Sequence, residues 1–209
     1  MNVKLLTSTQ SIHDMENFAA LAALTCHANT DKMSNEEYKP SDTLKNIINA
    51  GHESILEHIN LTFSVKGLSR DCLQELARHR HISLSVESTR FTLRKFFDKG
   101  LFISNINEFS RDFSIGELGL CSFKQFVCNV LGSLITIHDM PNDELKYYLP
   151  EFWPTNLIIT LNIREFRHIL KLRTAPTALK EFRVLARSMF HEVPDEFKYL
   201  LQDCVHDEG

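Results

Sequence analysis

An α+β fold is predicted for this 209-residue chain by three observations. Ile59, Leu61, Phe63 and Val65 alternate with Asn60, Thr62 and Ser64, the period-two pattern of a half-buried strand. Leu157 to Leu161 is an aliphatic, β-branched run suited to a buried strand. Between and around them, apolar residues recur at helical spacing, as at Leu179, Phe182, Leu185, Ala186, Met189 and Phe190. Strands interleaved with helices, without repeat, linker or low-complexity tract, predict one domain over residues 1–209.

Taken in order, Val3 to Thr7 reads as a first strand. Ile12 to Cys26 reads as a helix with an apolar stripe through Ile12, Met15, Phe18, Ala19, Ala22 and Ala23. His27 to Pro40 is a polar loop. Ser41 is the expected cap of a helix through Ala50, and Gly51 its stop. After the Ile59 strand, Gly67 is expected to turn the chain. Ser69 is placed to cap a helix toward His79, with Cys72, Leu73, Leu76 and Ala77 facing inward.

Leu84 to Leu93 reads as extended, which would put Val86, Ser88 and Arg90 on one face. Lys99 to Asn105 reads as a short extended piece and Glu108 to His138 as an apolar, helical stretch. Asp143 to Tyr148 is a short helix ended by Leu149-Pro150. Asn162 is the expected cap of a helix over Ile163 to Arg173, Thr177 that of the next, and Pro194 opens a last helix to about Cys204.

Composition narrows the function classes. Hydrophobic residues make up 43% and charged residues 24%, the balance of a soluble globular protein, and net charge is −4. A duplex-binding protein shows a broad basic footprint; here the basic residues are local, which suits a small anionic ligand and no nucleic acid. No apolar run is long enough to cross a bilayer, and Met1 to Leu6 lacks the apolar stretch of a signal peptide. The cysteines are Cys26, Cys72, Cys121, Cys128 and Cys204, an odd set without a Cys-x-x-Cys pair. A reduced, cytoplasmic setting follows, with no nucleophilic cysteine marked out. No Gly-x-Gly-x-x-Gly occurs, so a dinucleotide would not sit on a Rossmann turn.

Residues 78 to 90 concentrate the chemistry: Arg78, His79, Arg80, His81, Ser83, Ser85, Glu87, Ser88, Thr89 and Arg90. Guanidinium forks match phosphate oxygens in pairs, hydroxyls fill further lone pairs, and imidazoles can gain charge near neutral pH. A second strip, His52-Glu53-Ser54-Ile55-Leu56-Glu57-His58, carries two histidines six apart. Zinc on a helix favours His at i and i+4, so no metal site is expected. Two other readings stay open. One is an RNA-binding module stacking bases on Phe91, Phe96 and Phe97. The other is a metal-dependent phosphohydrolase using His52, Glu57, His58 and His79.

Arg78-His79-Arg80, seven residues, Ser88 and then Arg90 resembles the signature of the flavin-dependent thymidylate synthases. His52-x-Ser54-x-x-Glu57-His58 resembles a second element of that family. Asn162-x-Arg164, eight residues and Arg173 resembles a third, and Lys146-Tyr147-Tyr148-Leu149-Pro150 stands where the family has Arg-x-x-Leu-Pro. The likeness runs from about Leu21 to about Arg183. Lysine replaces arginine at Lys146, and Glu75 and Leu179 stand where the family often has glutamine; Val86 replaces a polar residue.

The resemblance implies a mostly antiparallel sheet packed with helices. It implies reductive methylation of dUMP to dTMP, with 5,10-methylenetetrahydrofolate as carbon donor and FAD, reduced by NADPH, as hydride source. It implies FAD contacts from His52, Ser54, Arg78, His79, Arg80, Val86, Asn162, Arg164 and His168. The dUMP contacts implied are Glu75, Arg78, Val86, Glu87, Ser88, Thr89, Arg90, Lys146 and Arg173, with Arg173 catalytic at the uracil ring. A homotetramer with sites shared between subunits is implied as well.

Overall fold

The computed structural model describes residues 1–92, 141–149 and 151–207. Its elements are β1 (Asn2–Leu5), α1 (Thr9–Cys26), α2 (Pro40–Asn49), β2 (Asn60–Ser69), α3 (Arg70–Leu76), β3 (Ile82–Val86), α4 (Asn142–Leu145), β4 (Pro154–Asn162), α5 (Ile163–Arg173) and α6 (Lys180–Glu192). Short 3₁₀ segments lie at Thr30–Ser34, Glu53–His58, Lys146–Tyr148, Asp195–Leu200 and Gln202–Cys204. The expected pieces at 99–105 and 108–138 lie outside the described residues. The chain forms two compact units: Met1, 66–73 and 86–156 in one, and 2–65, 74–85 and 157–209 in the other.

The strands pair antiparallel in the order β1-β2-β4-β3. In the second unit the register is fixed where Thr62 and Thr160 share a hydroxyl hydrogen bond of 2.9 Å. The predicted alternation holds: Ile59, Leu61, Phe63 and Val65 are buried, as are Leu157, Ile159 and Leu161. Phe63 meets Phe166 of α5 edge to face, with centroids 5.7 Å apart. Burying side chains of this size stabilises by about 1.5–3 kcal/mol each, so the apolar stripe Phe166, Ile169 and Leu170 fixes how α5 lies and where its polar side points. The backbone N–H of Ile163 donates to Ile59 O at 2.8 Å, tying the start of α5 to the start of β2.

Caps decide the helix boundaries. Ser8 Oγ accepts from Ser11 N at 3.2 Å to open α1. Asn162 Oδ1 accepts from Glu165 N at 2.8 Å to open α5, as its type predicts. α2 ends in a Schellman turn: Gly51 has φ +74, its N–H reaches Ile48 O, and that of His52 reaches Ile47 O, both at 3.0 Å. Two expected caps fail. Ser41 sits inside α2, which starts after Lys39 with Pro40 in its first turn. Thr177 precedes α6, whose N-cap position is Leu179. In both cases the chain gives up a side-chain cap, and Pro40, with its fixed φ, sets the α2 entry instead.

In the first unit Ser69 Oγ accepts from Cys72 N at 3.0 Å and caps α3 as expected. Gly67 does not end its strand. It carries φ +75 within β2, its N–H reaches the Asn156 side chain at 3.1 Å, and a Cβ there would lie 3.7 Å from Met1 Cα. A positive φ inside a strand is a use that glycine permits. The extended reading of residues 84–93 also needs correction. β3 stops at Val86, and a helical turn starts at Thr89, with Ser88 O accepting from Phe91 N and Thr92 N at 3.2 Å. Ser88 and Arg90 therefore do not share a strand face. The last predicted helix is two 3₁₀ turns.

Candidate active site

α5 and the turn after α3 build the candidate site within the second unit. A cavity of about 510 Å³ is lined by Glu53, Glu57, His81, Asn162, Arg164, Glu165, His168 and Lys171. Asn162, Arg164 and His168, three of the predicted flavin contacts, thus face one space. The cap engages Asn162 Oδ1, so what its side chain has left to offer a ligand is the amide N–H. Arg164 Nη1 pairs with Glu57 Oε1 at 2.5 Å, and both side chains are about half exposed. Lys171 reaches Glu53 at 3.4 Å.

Where α3 ends, Arg78 N donates to Glu75 O at 3.3 Å and His79 N to Leu76 O at 3.0 Å. This tight turn puts His79 inside and Arg78 and Arg80 outside. His79 Nδ1 lies 3.0 Å from Glu165 Oε1. Arg173, at the end of α5, donates from Nε to His79 Nε2 at 3.1 Å and from Nη1 to Glu75 Oε2 at 2.9 Å. Its guanidinium carbon lies 4.7 Å from the Phe182 ring centroid, a cation–π contact. Arg78 Nη1 donates to the other oxygen of Glu75 at 2.8 Å. One carboxylate therefore bridges Arg78 and Arg173.

Burial holds the His79 imidazole below its ordinary value, and the charge of Arg173 and the neighbouring His168 act in the same direction; the Glu165 carboxylate opposes them. The ring stays neutral at neutral pH. His79, Glu165 and His168 bring ligand atoms within 4.8 Å of one another, a spacing an ion could bridge. Both His79 nitrogens are already engaged, however, Nδ1 by Glu165 and Nε2 by Arg173, so an ion there would have to break one of these hydrogen bonds. The phosphohydrolase set is not assembled: Glu57 pairs with Arg164, His52 and His58 are exposed, and His79 turns to Glu165.

Other predicted residues stand apart from this centre. His52 and Ser54 are exposed on and beside the 3₁₀ segment Glu53–His58 and do not line the cavity, whereas Glu53 and Glu57 of that segment do. Arg80 is exposed. In the first unit Val86 ends β3. Glu87 is held to Asn156, N to O at 2.8 Å and Oε2 from Nδ2 at 2.7 Å. Ser88 closes the helical turn that begins at Thr89. Arg90 grips Asp143 through Nε at 2.6 Å and Nη2 at 2.9 Å, and its carbonyl accepts from Asn142 Nδ2 at 2.6 Å. Lys146 Nζ sits 5.2 Å from the Tyr147 ring centroid. Of the proposed base-stacking platforms, Phe91 is exposed and Phe96 and Phe97 lie outside the described residues.

Of the residues lining the cavity, Glu53, Glu57, His81, Glu165 and Lys171 are outside the flavin and nucleotide contacts that the resemblance implies, although the 78–90 strip included His81 and the phosphohydrolase reading included Glu57. The signals were present: Glu53 and Glu57 are four apart beside the histidines, and Glu165 precedes His168 by three, one turn of α5.

Residues 4–197 match the family model described as thymidylate synthase complementing protein. A flavin-dependent thymidylate synthase of Helicobacter pylori is 35% identical over 199 residues, covering 90% of this chain and 93% of the relative. One from Wolinella succinogenes is 34% identical, covering 98% and 100%. The crystal structure of thymidylate synthase X from Helicobacter pylori with FAD and dUMP superposes with a TM-score of 0.79 at 31% identity, over 99% of this chain and 100% of that one. With an α5–α3 centre joining two of the three signature segments, and matches that span nearly its whole length, the chain belongs to the flavin-dependent thymidylate synthase family.

Proposed function

We propose that this chain converts dUMP to dTMP by reductive methylation, with 5,10-methylenetetrahydrofolate as carbon donor and NADPH-reduced FAD, residues 1–209 acting as one catalytic domain. The meeting of Arg173 with His79, 94 positions apart, carries this reading. It joins the Arg-His-Arg segment to the Asn-x-Arg helix and holds a guanidinium whose side chain is mostly buried.

The cavity's donors suit FAD. Arg164, Lys171, His81, His168 and the Asn162 amide offer charge and N–H groups for phosphates and ring carbonyls. The acids Glu53 and Glu57 balance these cations, Glu57 pairing with Arg164 and Glu53 with Lys171. The Arg164–Glu57 pair is exposed, and such pairs contribute about 0.2–1 kcal/mol, so a pyrophosphate displaces it easily. His52, Ser54, Arg78, Arg80 and Val86 complete the proposed flavin contacts; His79, buried and engaged at both nitrogens, contributes through Arg173. When bound and reduced, the flavin supplies the hydride.

The chain's own part is positioning and electrostatics. Ser88, Arg90 and Lys146, with Arg78, hold the 5′-phosphate; Glu75, Val86, Glu87 and Thr89 border the nucleotide. Lys146 acts as a point charge where a fork would grip two oxygens. Fixing the phosphate aims the pyrimidine and removes much of the entropic barrier. Arg173 stabilises negative charge developing on the uracil carbonyl as C5 becomes nucleophilic.

Assembly as a homotetramer with sites shared between subunits belongs to the same reading. Phe18 and Leu21, exposed one turn apart on α1, offer an apolar face to a second copy. A cytoplasmic location is consistent with free Cys26, Cys72 and Cys204. Among the described residues, no helix is long and apolar enough to cross a membrane. The test is an absorbance spectrum after incubation with FAD and desalting. Retained flavin bands that shift on adding dUMP support the reading, and a colourless protein overturns it.

A further inference from the structure

Arg173 donates at every nitrogen and accepts at none. Its Nε–H points at His79 Nε2 from 3.1 Å, so Nε2 must present a lone pair. The His79 proton is then on Nδ1, 3.0 Å from Glu165 Oε1. Only a neutral ring with that tautomer satisfies both contacts; a proton on Nε2 would set two N–H groups against each other. Glu165 is 8% exposed and His79 6%, so both are largely withdrawn from bulk water. The remaining groups around the ring are Arg173 and His168 on α5, Glu75 behind Arg173, and the Phe182 ring of α6 at 5.8 Å.

We propose that Glu165 is a positioning residue for the thymidylate reaction: its carboxylate fixes the Nδ1–H tautomer of His79, which in turn orients the Arg173 guanidinium toward the substrate ring. The proposal rests on the dUMP-methylating reading for its consequence, though the tautomer itself does not. Glu165 also lines the cavity assigned to the flavin, so it links the two halves of the site. An anion here is not needed to bind nucleotide; near a phosphate it would repel. Its value lies in its direction, as with the carboxylate that holds a catalytic imidazole in one tautomer. A glutamine of the same shape can donate its own N–H to Nδ1, allowing the opposite tautomer and releasing Arg173.

The experiment uses the full-length, FAD-loaded protein with Glu165→Gln and Glu165→Ala. Tritium release from 5-labelled dUMP is followed against pH, with flavin content and melting temperature measured on the same samples. Glu165→Gln is expected to keep its flavin and its melting temperature while kcat/KM falls roughly ten- to a hundredfold. The acid limb of its profile moves to lower pH, because the carboxylate that steadied the imidazolium is gone. Activity within about twofold of wild type with an unmoved limb, or a loss that only tracks flavin or folding, overturns the proposal. A ring-¹⁵N histidine spectrum, with His79 assigned by its loss in His79→Gln, is independent of turnover. Wild type should show the Nδ1–H form and Glu165→Gln should lose that bias; an Nε2–H form in wild type overturns the proposal. Wild-type protein with that tautomer but no tritium release would instead count against the thymidylate reading.

Discussion

Arg173 is held along two edges: its Nε donates to His79 at 3.1 Å, and its Nη1 donates to Glu75 at 2.9 Å. The guanidinium lies against Phe182, and its side chain is 19% exposed. A cation fixed this way reorganises little when charge develops opposite it, which is the condition under which electrostatic stabilisation is largest.

Replacing Arg173 with alanine removes that fixed charge. Losing one oriented group of this kind costs about 2.7–4 kcal/mol in the barrier, or roughly 10²–10³ in kcat. Steady-state kinetics on dUMP should show that loss with flavin content unchanged. Turnover near wild type would reject the role.

Glu75 neutralises Arg78 and Arg173 together. Its negative charge competes with an incoming phosphate. Arg78 is 74% exposed, so the gain from removing the competitor is that of an exposed pair, about 0.2–1 kcal/mol. Glu75→Gln is therefore expected to tighten dUMP binding up to about fivefold, less so as salt rises. Calorimetric titration at two ionic strengths checks this; weaker binding would mean that the carboxylate itself touches the nucleotide.

Asn162 has two duties that substitution can separate. Asn162→Ala loses the α5 cap, at about 1 kcal/mol, together with the amide donors. Asn162→Asp keeps a capping oxygen at a helix N-terminus, where a negative charge is favourable, but loses the donors. Melting temperature should fall only in the alanine variant, whereas FAD retention should fall in both. Full FAD retention by the aspartate variant would remove Asn162 from the flavin contacts.

Arg167 ties α5 to the C-terminal turn. It is 2% exposed, donates to Asp203 through two nitrogens at 2.6 Å, reaches Leu200 O at 2.6 Å and pairs with Glu53 at 3.1 Å. Burial would push the Asp203 carboxyl up, but the hydrogen bonds and charge of Arg167 outweigh it and hold the group below the usual carboxylate range. A depressed carboxyl contributes stability that is complete above its unfolded value, near 3.8, and is lost as pH falls below that. Arg167→Met should cost about 3 kcal/mol, the low end for a broken buried pair because Asp203 can rehydrate. In a chain this size that is roughly 6–12 °C in melting temperature. The difference from wild type should shrink below pH 3.8; a constant difference would show that Asp203 carries little of it.

The strands and the three signature segments were legible because they rest on local rules: alternation at Ile59 to Val65, an asparagine before the apolar stripe of α5, and fixed spacing around Arg78 and Ser88. What the sequence hid was pairing at a distance. Nothing local says that Glu75 turns back to Arg173, or that Glu57 meets Arg164, because both depend on how α5 packs over the sheet. The extended reading past Val86 failed for a different reason. β-branched and hydroxylated residues there suit a strand, but the backbone N–H groups of Phe91 and Thr92 and the Thr92 hydroxyl all donate to Ser88 O, and that local turn prevailed.

The most direct measurement is tritium release from 5-labelled dUMP by the purified, FAD-loaded chain with NADPH and methylenetetrahydrofolate. Release matched by dTMP formation, and abolished by omitting the folate or by Arg173→Ala, is predicted. Flavin-loaded protein that binds dUMP yet releases no tritium would contradict the account.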